Sequence, residues 1–94
     1  MAKVTYLCRR SLRGYLDGRR YSDAYVAEEL DDLEEARDYI EGLAMIDQYL
    51  YASYCVGFTA PIIDHRNGDE IALHVPGQPD FEILYTVEKK RIND

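Results

Sequence analysis

Two histidines, two cysteines and a block of carboxylates are the side chains of this sequence with chemistry open to them. His65 and His74 flank an Asn67-Gly68 dipeptide and have Asp64 and Glu70 beside them, a set that could be drawn as a metal site. Asn-Gly favours a two-residue hairpin turn because both positions tolerate positive φ. In that hairpin His65 lies opposite Glu70, and His74 lies four pairs further along. At about 3.3 Å per residue the two imidazoles stand too far apart to share one ion. The spacing therefore predicts a surface His65–Glu70 cross-strand pair and no metal. Cys55 and His65 could act as nucleophile and base only if the roughly 30 Å of extended chain between them were bent. Cys8 has no local group to lower its thiol pKa except Arg9 and Arg10. Catalytic carboxylates need one member in an apolar pocket, whereas the acids here crowd onto what should be a solvated helix face. There is no phosphate-binding glycine loop, no G-x-S-x-G and no H-E-x-x-H. The reading is a protein without catalytic residues and without a cofactor.

The charges are segregated along the chain. Residues 1–22 hold Lys3, Arg9, Arg10, Arg13, Arg19 and Arg20 against Asp17, a net +5. Residues 23–47 hold ten acids against Arg37, a net −9, and residues 48–94 bring the total to −7. Segregation of this kind bears on what a protein touches more than on how it folds.

Ninety-four residues make one domain, residues 1–94, with enough chain for one modest core. Nine tyrosines and no tryptophan suit half-buried strands and interfaces alike. The N-terminus MAKVTYLCRR lacks the apolar segment and cleavage site of a secretory signal. Buried reduced thiols and a cytoplasmic location in a bacterial host cell are the corresponding expectations. No apolar run approaches membrane-spanning length.

Periodicity supplies the elements. Residues 3–9 alternate and predict a strand, and Gly14, Asp17 and Gly18 predict the turn after it. Residues 19–27 read as the returning strand, with a helix from Ser22 as the competing reading. The better helix start is DDLEEA, where Asp31 or Asp32 can cap the first turn and Glu34 or Glu35 completes a capping box. Leu33, Ala36, Ile40 and Leu43 form the buried stripe, and Gly42 either ends the helix or weakens a longer one reaching about residue 52. Residues 54–64 and 69–75 predict a hairpin in which Ile62 pairs with Leu73 and Ala60 with Val75. That register puts Val56, Phe58, Ala60 and Ile62 on one apolar face. Pro76, Gly77 and Pro79 make a loop. Residues 81–88 form a last strand with Phe81, Ile83, Tyr85 and Val87 inward, and KKRIND reads as a polar tail. The fold class is α+β in the order ββαβββ: a mostly antiparallel sheet of four or five strands with one amphipathic helix, unbroken or in two pieces, on one face.

Within the helix, Asp31, Glu34 or Glu35, Asp38 and Glu41 recur every three or four residues on the side away from the core stripe. Successive members stand about 5–6 Å apart as like charges, which costs an isolated helix ~0.2–0.5 kcal/mol per pair. Such a stripe either maintains a solvated surface or binds a basic partner by presenting charge where phosphates would lie. Arg9, Arg10, Arg13, Arg19 and Arg20, clustered around the first turn, either pair with the acidic helix, within the chain or in a homodimer, or contact an anion.

By its size, the acidic AEELDDLEEARDYIEG block, the many tyrosines and the lack of an enzymatic motif, the chain resembles the small acidic α+β proteins encoded by bacteriophages, including anti-CRISPR proteins. The resemblance implies a non-enzymatic inhibitor, in the extreme a DNA mimic. It would occupy a nucleic-acid-binding or recruitment surface on a host defence complex, with a larger basic protein or nucleoprotein as partner. The candidate partner-binding residues are Glu28, Asp31, Glu34, Glu35, Asp38 and Glu41, and the candidate anion contacts are Arg13, Arg19 and Arg20. Neither general nucleic-acid binding nor membrane association is expected. Two other readings remain: a nucleotide-binding sponge using the arginines and tyrosines, and a self-assembling structural phage subunit.

Overall fold

Alternating apolar residues carry β1 from Lys3 to Leu16, well past the stretch predicted from residues 3–9. The computed structural model describes residues 3–57 and 59–92. β1 turns at Asp17-Gly18, both with positive φ (49° and 80°), the geometry of a tight two-residue hairpin turn. β2 (Arg19–Leu30) returns along it. Residues 19–27 are thus strand and not helix, because the pairing with β1 outweighs the helical spacing of Val26 and Leu30.

Asp32 caps the helix α1 (Leu33–Leu50), its carboxylate accepting from the Glu34 N–H at 3.0 Å. Gly42 lies inside α1 and neither ends nor divides it; one turn of 3-10 helix (Ala52–Tyr54) follows. β3 (Ile62–Asn67), β4 (Glu70–His74) and β5 (Phe81–Ile92) complete the order ββαβββ. All five strands join one antiparallel sheet in the spatial order β2-β1-β5-β4-β3. α1 covers one face. There Cys8, Leu12 and Leu16 of β1, Ile71 and Leu73 of β4, and Phe81, Ile83 and Tyr85 of β5 meet Ala36, Ile40 and Ala44. The inward pattern of β5 is the one the alternation predicts.

Four local expectations are corrected. Gly14 is not part of the turn but lies in β1, paired with Tyr21 and Phe81. Residues 54–57 and 59–61 are not strand: Cys55 N–H bonds back to Ala52, Val56 N–H reaches Pro76 O at 3.3 Å, and Gly57 adopts a φ of 68°. Phe58 lies outside the described residues. The β3–β4 register is shifted by one, with Ile63, not Ile62, opposite Leu73 and Ile71 opposite His65. The cause is local. Asn67 Oδ1 accepts from the Asp69 N–H at 2.8 Å, which moves the turn to Gly68-Asp69, and a bulge between His65 and Asn67 absorbs the extra residue. A one-residue slip exchanges faces, so Ile63 packs on the core while Ile62 is 57% exposed. Finally, Lys89 to Ile92 are not a tail but the end of β5, paired with Lys3 to Tyr6.

The uncovered side of the sheet is a lattice of opposite charges. Arg66 reaches Asp64, Glu70 and Glu82 at 3.3–3.7 Å, Arg13 meets Glu82 at 3.5 Å, and Arg9 meets Glu88 at 2.6 Å. Polar cover of this kind is what an antiparallel sheet with one solvated face requires.

Both cysteines are free thiols. Cys8 is fully buried beneath α1, donating to Ala36 O at 3.6 Å, and burial, reinforced by Glu28, pushes its pKa up. Cys55 is half-buried. We expect a thiol-specific chromogenic reagent to modify one cysteine per native chain within minutes and the second only on unfolding. Fast modification of both in the native state would contradict this burial.

Candidate protein-interaction surface

The outward side of α1 changes character halfway along. At 100° per residue, Glu34, Asp38, Met45 and Tyr49 fall on one line, with Glu35, Ile46 and Leu50 beside it. The N-terminal half of this face is acidic. Its C-terminal half is apolar and open: Met45 is 59% exposed, Ile46 58%, Tyr49 83% and Leu50 58%. An amphipathic helix serving only a core keeps its apolar residues to one stripe. Here the last two turns carry large apolar side chains on the outward side as well. Gly42 sits between the two halves, and the space a side chain would take there is empty.

The acids do not form the uniform stripe that their spacing suggests. Glu34 pairs with Arg37 at 3.1 Å, and Arg37 in turn holds Asp69 at 2.8 Å. Glu41 is bound to His65 at 2.6 Å. His65 therefore pairs with the helix rather than with Glu70, a consequence of the shifted register. Asp31 lies before the helix and contacts Lys3 at 3.7 Å, while Glu28 belongs to β2. Among the described residues, Glu35 and Asp38 are the exposed acids of α1 without an ionic partner.

The apolar half is held in place by a polar cluster beneath it. Asp47, on the inner side of α1, has a side chain only 6% exposed. Its Oδ2 accepts from Arg10 Nε at 2.7 Å and from Tyr85 Oη at 2.5 Å. Arg10 stands between Cys8 and Leu12 on the covered side of β1, and its Nη1 donates to Tyr25 Oη at 3.2 Å. Tyr51, at the helix end, stacks on Phe81 with centroids 5.8 Å apart. The pair with Asp47 outweighs the burial of the guanidinium, so Arg10 stays charged. Burial first, then the hydrogen bond to Asp47, pushes the Tyr85 phenol far above its ordinary range, and burial raises Tyr51 as well.

No family model, curated protein or solved structure matches this chain. Its surfaces therefore have to be read from their own geometry.

The candidate anion contacts do not converge. Arg13 and Arg20 project from the uncovered side of the sheet and Arg19 from the covered side, since Arg13 and Tyr15, the partner of Arg20, alternate along β1 with Leu16, the partner of Arg19. Arg13 is engaged by Glu82, and Arg19 lies over the Tyr21 ring at 5.4 Å. An open depression of about 400 Å³ beside Arg13 is also lined by Asp80 and Glu82, carboxylates that repel a phosphate. Among the described residues, no three His, Cys, Asp or Glu side chains are grouped to hold a metal. No helix among the described residues is long and apolar enough to cross a membrane.

Sequence reasoning missed Asp47 and the four exposed apolar residues. Asp47 reads as one more acid of the block, and only the packed helix turns it inward. Met45, Ile46, Tyr49 and Leu50 left a usable signal, because they are too many for one buried stripe.

The raised phenols make stability depend on alkaline pH. A group whose folded pKa exceeds its unfolded value contributes stability that is complete below the unfolded pKa, near 10 for tyrosine, and is lost as pH rises through the folded one. We expect denaturant midpoints to fall above about pH 10. In a spectrophotometric titration Tyr85 and Tyr51 should ionise last, Tyr85 only together with unfolding. Ionisation of all nine tyrosines in a single step near the ordinary value, with the fold intact, would refute this.

Proposed function

We propose that this protein is a non-enzymatic binding protein that engages a larger, basic protein through the outward face of α1. The observation that carries the reading is the continuity on one helix face of free acids, Glu35 and Asp38, with four large apolar side chains each more than half exposed. Exposed clusters of that kind on a small domain mark interaction sites. An amphipathic helix laid into an apolar groove is a common recognition mode. The complementary partner has an apolar groove beside a basic rim. The acids steer approach and register, and the apolar side chains supply the buried contact. The resemblance to phage inhibitors nominates a host nucleic-acid-handling complex, whose basic surfaces fit that description.

The geometry narrows the candidate residues. Glu34 and Glu41 hold Arg37 and His65, so reversing them would disturb the fold along with the surface. Glu35 and Asp38 can be reversed without breaking an ion pair seen among the described residues. In an affinity capture from bacterial lysate at low and high salt, we expect a basic complex retained by the wild-type chain at low salt. Glu35→Lys/Asp38→Lys should lose it, and so should Met45→Ser/Tyr49→Ser at unchanged thermal stability, each by at least tenfold in affinity for the purified partner. Retention equal to wild type by both variants would sink the proposal.

A further inference from the structure

The two edges of the sheet are built differently. β3 has only six residues, follows Pro61 and carries Asp64, His65 and Arg66 in succession. These are the devices that stop an edge from pairing. β2 is twice as long, with twelve residues, contains neither proline nor lysine, and exposes Ala24, Tyr25 and Val26 at its centre. From the two-residue turn, the hydrogen-bonded pairs with β1 alternate beginning at Leu16–Arg19. Arg20, Ser22, Ala24 and Val26 therefore direct their N–H and C=O groups away from β1, toward the free edge.

We infer that β2 pairs antiparallel with β2 of a second copy about a two-fold axis at Ala24, joining two sheets into one of ten strands. The occupant is a second copy because the edge is complementary to itself. With Ala24 opposite Ala24, Ser22 faces Val26 and Asp23 faces Tyr25. The extra residue at Ala27, where the β1 register shifts, brings Arg20 opposite Glu29. These two share the uncovered face, since their β1 partners Tyr15 and Leu7 do. On the other face Arg19 lies diagonal to Glu28. The neighbouring registers in phase with the free groups fail: one opposes Asp23 to Asp23, and the other brings Asp23 against Glu28. Like charges directly opposite destabilise a strand pair, so charge selects the register as well as the partner. About six main-chain hydrogen bonds would form between the copies. An axis through an antiparallel pair runs perpendicular to the sheet, so both α1 helices lie on the same side. The N-terminal arginines and the acids that follow them thus acquire a role in self-recognition, separate from the face of α1.

Analytical ultracentrifugation over a range of concentrations tests this. We expect the full chain to dimerise reversibly, with half-association below roughly 100 μM and a dimer fraction that rises with concentration by mass action. Ala24→Lys, which sets two ammonium groups against each other on the axis at an exposed position, should leave a folded monomer. Arg20→Glu should weaken association by about tenfold or more, and Arg20→Glu/Glu29→Arg should restore part of the loss, with Lys90 of the same chain, 3.4 Å from Glu29, opposing the swap. A wild-type chain that stays monomeric at 500 μM, about five times that ceiling, would overturn the inference. So would a dimer indifferent to Ala24→Lys, or a charge swap that fails to rescue. None of these outcomes depends on the face of α1, so failure here leaves the proposed binding function standing, and the reverse holds too.

Discussion

Replacing Asp47 by alanine is expected to remove about 3–5 kcal/mol of stability. The reason is what it leaves behind. Arg10, whose side chain is only 14% exposed, would keep a charge facing the core with its carboxylate gone, and Tyr85, fully buried, would lose the acceptor of its hydroxyl. A buried ion pair contributes little net over an apolar replacement, but an orphaned buried charge is costly. Arg10→Ala should cost less, because Asp47 keeps Tyr85 as a donor. The double variant Arg10→Met/Asp47→Leu should recover part of the loss, since no unpaired charge then remains and only the Tyr85 hydroxyl lacks its acceptor. Urea unfolding of the four proteins compares these losses directly. For a domain whose total stability is of order 5–15 kcal/mol, the Asp47→Ala variant should be marginal at 37 °C. A loss under 1 kcal/mol would show that the cluster is wetter than its burial indicates. Asp47 also fixes the orientation of the last two helical turns, so its loss should weaken the proposed partner binding through the apolar half of the face.

Gly14→Ala is expected to cost about 3 kcal/mol or more, with no charge involved. Gly14 has a φ of 101°, and a Cβ there would fall 1.5 Å from the carbonyl oxygen of Asp80. That oxygen accepts the Tyr15 N–H at 3.0 Å, so the backbone cannot retreat without losing a hydrogen bond between β1 and the turn before β5. Gly18 provides the control. It also has positive φ, but nothing lies near the position of its missing Cβ. Gly18→Ala should therefore show backbone strain alone, about 1 kcal/mol. Thermal and urea midpoints for the two variants separate steric conflict from strain, and equal losses would refute the close approach at Gly14.

The amino-acid sequence by itself determined the order of elements, a helix with an acidic start, and the inward faces of β5 and the first turns of α1. Those features follow from periodicity and capping, which act within a few residues along the chain. The tertiary structure decided the rest. The Asn67-Gly68 signal was genuine, but an Asx contact to Asp69 moved the turn by one residue and exchanged the faces of Ile62 and Ile63. Gly14 has the composition of a turn, yet it belongs to a strand because a neighbouring backbone crosses it. The acidic block looked uniform along the sequence and is not: Asp32 caps, Asp47 is buried, and Glu34 and Glu41 are paired. That leaves Glu35 and Asp38 facing outward beside Met45, Ile46, Tyr49 and Leu50. Charge and hydropathy are properties of residues, but their availability to a partner depends on what packs across from them, and contacts between residues 10 and 47 or 41 and 65 are set only when the chain has closed.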